Sequence, residues 1–173
     1  TLQGDWINNG VAAVNYTPNS RIVTFNGSAL QTFTGSNTTI NPFAHLTVNN
    51  PAGLMLTSLD VEIQNGLNLA NGLVDLNNNQ LTLGTSGNNG TLTGGSATSY
   101  LISGSTTAKF VRYTTTNATT YAFPVGDASN YTPISVQFFS SPMAANTQLS
   151  VNIIDAAHPN LGTSTNYLSR YWT

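Results

Sequence analysis

A chain of 173 residues with a formal net charge of −2 and only 6% charged residues has too few cations to neutralise a run of phosphates or to hold an anionic membrane. That argues against nucleic-acid and lipid-surface binding. Asparagine, threonine, serine and glycine supply 80 of the residues, so amides and hydroxyls rather than ions solvate the surface. Cysteine is absent, which removes disulfides, thiolate metal sites and thiol catalysis, and no apolar run approaches the ~18 residues that would span a membrane.

Hydrophobic residues make up 39% of the chain and fall at period two, the pattern of strands around a core rather than of a disordered chain. Residues 1 to 20 read as a lead-in. Trp6 stands between Asp5 and an Asn9-Gly10 turn, Val11 and Val14 run on to a Pro18-Asn19 turn, and the indole is placed to plug the first coil. Residues 21 to 42 supply RIVTFNG and ALQTFTGS, the first regular coil. From Phe43 to Gly84, apolar-x-apolar triplets recur, each closed by a turn signal: Leu46-Thr-Val48, Leu54-Met-Leu56, Val61-Glu-Ile63, Leu67-Asn-Leu69, Val74-Asp-Leu76 and Leu81-Thr-Leu83. Each reads as a very short strand with two inward side chains.

The spacing makes these triplets a repeat. Leu46 to Leu67 is 21 residues, Leu54 to Val74 and Val61 to Leu81 are 20 each, and Val23 precedes Leu46 by 23. Three short strands per period of about 20 fit a parallel β-helix, in which each coil hides its backbone edges by stacking on the next. An antiparallel meander or sandwich with Asn-Gly hairpins is the competing arrangement. The coil is preferred because the strands are so short and because Asn49, Asn50, Asn71 and Asn77 to Asn79 suit left-handed corners.

After Gly84 the texture changes. Thr85 to Thr98 is glycine-rich and nearly free of apolar residues, which predicts a long loop or a last, frayed coil. Beyond it lie longer strands with aromatic members: Tyr100 to Ser103, Ala108 to Thr114, Thr119 to Phe123, Pro133 to Phe139 and Gln148 to Ile154, joined by Gly126-Asp127, Ser141-Pro142 and His158-Pro159-Asn160 turns. The expected fold is all-β: a parallel β-helix-like part over residues 1–98, then an antiparallel β-sandwich-like part over residues 99–173. The single helical candidate, Pro142 to Thr147, is too short and too close to proline.

The stretches GDWINNG, RIVTFNGSALQTFTGS, FAHLTVNNPAGLML and YAFPVGDASNYTP together resemble a module of very large secreted surface proteins of Bacteroidetes. The matching residues are Trp6, Asn8 to Gly10, Val23, Phe25 to Gly27, Gln31, Gly35, Leu46, Asn49, Asn50, Gly53, Leu54, Leu56, Phe123 to Gly126, Tyr131 and Pro133. The resemblance implies an exported, extracellular or cell-surface protein carried by type IX secretion and acting in adhesion or as a structural array. The chain departs from the pattern at His45, where the family usually has asparagine. It also shows no sorting domain and stops at Tyr171-Trp172-Thr173 in mid-strand, so a processed or excised fragment is expected. The absence of a charged, apolar leader at Thr1 means that a secretion signal is removed or was never present.

The residues that could carry chemistry are few. The carboxylates are Asp5, Asp60, Glu62, Asp75, Asp127 and Asp155. Asp60 and Glu62 flank Val61 and share a strand face roughly 7 Å apart, a separation open to glycosidase pairs and hard cations. A polysaccharide lyase would add a basic residue, but Lys109 and Arg112 lie in another segment. His45 and His158 lack further ligands at metal spacing, and no Gly-x-Ser-x-Gly elbow occurs. The expectation is therefore no catalytic residue, no cofactor, no metal and no enzyme activity. Threonine rows could order ice, yet Thr91, Thr93, Thr114 to Thr116, Thr119 and Thr120 do not recur at the coil period, and the outward residues Thr24, Thr47, Asn68, Asp75 and Thr82 are mixed. Exposed rings of Tyr113, Tyr121, Tyr131 or Tyr167 would suit surface glycans. The remaining expectation is a non-enzymatic structural or adhesin-like unit that contacts copies of itself end to end, or neighbouring domains, because neither end of the coil carries a charged cap.

Overall fold

The computed structural model describes residues 1–10, 20–36, 41–115, 119–139, 143–162 and 165–173, apart from the side chain of Asn41. The expectations for Val11, Val14, Pro18-Asn19, Thr116 and Ser141-Pro142 lie outside the described residues. Among the described residues all regular elements are strands, in a β-solenoid of about 5 turns. The lead-in carries β1 (Trp6–Asn8). The coils follow as β2 (Ile22–Phe25) with β3 (Gln31–Gly35), β4 (Asn41–Asn49) with β5 (Leu54–Leu56), β6 (Val61–Asn71) with β7 (Val74–Asp75), then β8 (Gln80–Leu83), β9 (Thr91–Gly94) and β10 (Leu101–Ile102), then β11 (Lys109–Tyr113), β12 (Thr120–Phe123) and β13 (Val125–Gly126). The chain ends with β14 (Ile134–Gln137), β15 (Gln148–Val151), β16 (Ile153–Ile154) and β17 (Tyr171–Trp172).

Strand register tests the spacing directly. Val23 pairs with Leu46, Leu46 with Leu67, Leu54 with Val74 and Val61 with Leu81, all in parallel. These are the steps that define the repeat in the sequence, so the coil and not the meander is the fold. Six strands stack in the order β1-β3-β5-β7-β10-β13, and a second sheet runs β15-β11-β8-β6-β4-β2 with β9 on β6. The second sheet covers two faces of the coil, since β8 pairs with Val61–Ile63 of β6 and β9 with its Gly66–Leu69 part.

Three local expectations are corrected. Asn65-Gly66 is no turn: it lies inside the 11-residue β6, where a register shift between Phe43 and His45 gives β6 one extra residue. Such a bulge bends a strand without breaking it, so two triplets fuse around a corner. Thr85 to Thr98 is neither a loop nor the last coil. β9 pairs in parallel with β6, Leu67 opposite Leu92, between two tight turns closed by Thr85–Asn88 and Ser96–Ser99 backbone pairs. Among the corner asparagines only Asn77 is left-handed, with φ 52°. At Gly72, φ is 86° and an added Cβ would strike the Asn50 carbonyl, so glycine takes the strained corner.

Parallel pairing also runs past residue 98: β10 stacks on β7, β11 on β8 and β13 on β10. Antiparallel pairs then appear, β15 on β11, β14 on β12 and β17 on β16. The strand containing Trp172 is therefore not left open, because Ile153 pairs with Trp172 and Asn152 exchanges backbone hydrogen bonds of 3.0 and 3.1 Å with Thr173. An antiparallel strand laid on β11 ends the larger sheet without offering another parallel edge of the stack.

The interior is filled by inward rows such as Leu54, Val74, Leu101 and Val125, all essentially buried. At the N-terminal end Trp6 stacks on Phe33 at 6.1 Å and meets Phe43 edge-on at 5.1 Å, the place expected for it. Several polar side chains are nonetheless enclosed, among them Gln31 at 2% and Asn50 at 0% exposure. Asn50 Nδ2 donates to Ala29 O at 2.7 Å and Gln31 Oε1 at 3.1 Å, and its Oδ1 accepts from Ala52 N at 2.9 Å. Gln31 in turn donates to Gly4 O at 2.5 Å and accepts from Gly27 N at 2.9 Å. One network thus ties the lead-in to two coils where strand bonds are absent. Asn50→Ala should cost about 2 kcal/mol by leaving these buried partners unpaired. The exposed Thr120→Ala should change stability by no more than about 0.5 kcal/mol, and urea unfolding of both variants checks the contrast.

Candidate functional site

Every carboxylate is engaged by the fold itself. Asp5 Oδ1 accepts from Thr32 N at 2.6 Å and Asp60 Oδ1 from Gln80 N at 2.7 Å, each fastening one coil to the next. Glu62 accepts from Gln64 Nε2 at 3.0 Å, and Asp75 closes a turn on Asn77 N at 2.7 Å. Asp60 precedes β6 while Glu62 lies within it, and each has its own partner. The structure does bring a base nearer than the sequence indicated. Lys109 pairs with Gln80, the residue bonded to Asp60, two strand spacings or roughly 10 Å away. Only the register of β8 and β11 reveals this.

Arg112 belongs to the core. It sits opposite Leu83 at 6% exposure, donates from Nη1 to Ala122 O at 2.9 Å and lies 5.4 Å above the Tyr121 ring. Burial pushes its guanidinium below the ordinary value, against an opposing pull from Tyr121. It has no carboxylate partner among the described residues, so carbonyl and ring contacts carry the charge.

The tyrosine expectation is corrected in part. Tyr121 is wholly buried, and Tyr131 packs on Tyr100 at 5.3 Å. Tyr113 is half-buried and Tyr167 is 51% exposed. His158 meets Tyr171 edge-on at 4.8 Å and accepts from Asn160 N at 3.2 Å. Among the described residues no group of three histidines or acids could hold a metal ion, and no helix is long and apolar enough to cross a membrane.

The outward surface of the His45–Asn49 and Gly66–Leu69 strand segments is more ordered than the sequence indicated. Ile22, His45, Gly66 and Thr91 fall in one row across four coils, and Thr24, Thr47, Asn68 and Thr93 in the next. Thr93 therefore does recur, in a row with Thr24 and Thr47 that Asn68 interrupts, with coil steps of unequal length hiding it in the sequence, whereas Thr91 shares its row with no other threonine. These rows line an open groove of about 360 Å³. Gly66 forms part of its floor. Its φ is not left-handed, but a Cβ there would lie 2.7 Å from His45 Nδ1, so any larger residue would make the imidazole shift from its place over the strand.

Comparison with protein-family models, with curated proteins and with solved structures finds no match.

At the C-terminal end Arg170 Nη1 contacts Asp127 Oδ2 at 2.5 Å, while the more exposed Asp155 lies 3.5 Å from Nη2. Burial pushes the Asp127 carboxyl up. The backbone N–H of Ser129, the side chain and backbone of Asn130, and Arg170 outweigh that and hold it below its ordinary value. A carboxyl depressed in the folded state stabilises it fully above the unfolded value, about 4, and the contribution is lost as pH falls through the lower folded value. Acidification below about pH 4 should therefore loosen β17, with faster hydrogen exchange at Asn152 and Thr173. Arg170→Gln should bring that loosening to higher pH.

Proposed function

We propose that the chain is a non-enzymatic structural or adhesin-like unit of an extracellular surface protein. The observation that carries the reading is the use of the acids: Asp5, Asp60, Asp75 and Asp127 are each spent on holding coils or turns, Glu62 bonds Gln64 on its own strand, and Asp155 faces Arg170. General acid–base catalysis needs a carboxyl poised over a substrate with a partner of different protonation. The hydroxyl and amide surface suits an exported protein, as does the resemblance to Bacteroidetes surface modules carried by type IX secretion.

The antiparallel strands after residue 126 are read as the start of a sandwich-like segment that covers the end of the coil. At the other end β1 closes the six-stranded sheet with Ile7 64% exposed, and this end meets a neighbouring domain or a second copy in a larger assembly. Sedimentation and electron microscopy of the full chain should show concentration-dependent association, reduced by Ile7→Lys. Dispersed monomers at high concentration would reject assembly with copies of itself in favour of a neighbouring domain, and turnover of a polysaccharide lost in an Asp60→Asn, Glu62→Gln double variant would reject the non-enzymatic reading.

A further inference from the structure

We infer that the groove over Gly66 is a binding site for a neutral, extended polysaccharide lying along the solenoid axis. The inference rests on the reading of the chain as a non-enzymatic surface module and supplies its ligand class. Four features of the groove carry it.

The first is unused polar capacity. Several asparagines at coil corners are consumed by the fold: Asn50 as described, Asn79 donating to Leu56 O at 2.9 Å, and Asn88 to Gln64 O at 2.9 Å. In the groove, the side chains of Thr47, Asn68 and Thr93 have no hydrogen-bond partner among the described residues, nor does that of His45. The second is periodicity. Thr47, Asn68 and Thr93 occupy one register row on successive coils, so a donor–acceptor group recurs about every 4.8 Å along the axis. That is close to the rise of one pyranose unit in an extended chain, and each unit would meet an equivalent amide or hydroxyl.

The third feature is charge. The lining contains no aspartate, glutamate, lysine or arginine, so nothing there compensates a uronate, sulfate or phosphate, and a neutral polyhydroxyl ligand is the one it matches. The fourth is shape. A glycine inside a strand beside a bulge opens the surface to a close approach. The His45 ring lies over Gly66, and Ile22, 64% exposed, stands next to His45 in the same row, offering apolar surface to the faces of sugar rings.

The test is retention of the full chain on insoluble cellulose, chitin and mannan, and titration with soluble xylan, galactan and, as a charged control, heparin. Binding to at least one neutral polymer is expected. Asn68→Ala and the Thr47→Ala, Thr93→Ala pair should each weaken it about tenfold, as loss of a hydrogen bond does, whereas Tyr167→Ala should leave it unchanged. These are surface positions, and an unaltered melting temperature identifies a loss as local. His45→Ala supplies an independent variant from the adjacent row, expected to weaken binding as well. No retention on any neutral polymer, retention unaffected by the groove variants, binding confined to heparin, or thermal hysteresis without glycan retention would each overturn the proposal. Release of reducing sugar by the wild type would instead overturn the non-enzymatic reading beneath it, so the two failures are distinct.

Discussion

The constraint on which the structure depends is the satisfaction of strand edges by stacking. A strand of two to five residues cannot hold itself, and its N–H and C=O groups must find partners in the coils before and after it. The register of β4 on β6 and β6 on β8 meets that demand and at the same time aligns apolar side chains into continuous inward rows. Hydrogen bonding and core packing are thus one event here. A slip of one residue would unpair the coil and turn its leucines to water.

Corners are where that economy fails, because backbone groups leave the ladder as the chain bends. Side-chain amides and carboxylates fill the gap. Asn50 and Gln31 do so inside the protein, while Asp5, Asp60 and Asn79 do so at its surface. This explains why a chain with so few charged residues is rich in asparagine. The two ends are treated differently. Aromatic rings of Trp6, Phe33 and Phe43 close the beginning of the stack, whereas antiparallel strands and the Arg170 contact to Asp127 close the other. The groove departs from this pattern, with polar side chains in register that have no hydrogen-bond partner among the described residues.

The coil was legible in the residues because its central steps are nearly equal, and the Val23, Leu46, Leu54 and Val61 pairings follow from counting. Later steps lengthen: Leu67 meets Leu92, and Leu81 meets Phe110. Counting at a period near 20 loses them, which is why Thr85 to Thr98 reads as a loop and why the recurrence of Thr93 is hidden. Asn65-Gly66 misleads for a related reason. The dipeptide permits a turn, but hydrogen bonds from β4 hold it within a bulged strand.

What the sequence alone determined is the class of fold and the inward residues of the first coils, since these follow from side-chain period, which is local. Tertiary structure decided the burial of Tyr121 and Arg112, the engagement of Asp60, the closing of Trp172 against Ile153 and the alignment of Thr47, Asn68 and Thr93. Most of these join residues about 20 or more positions apart. Their meeting depends on how many residues every intervening corner consumes, and that length is set by bulges and turns that the stacked neighbours select.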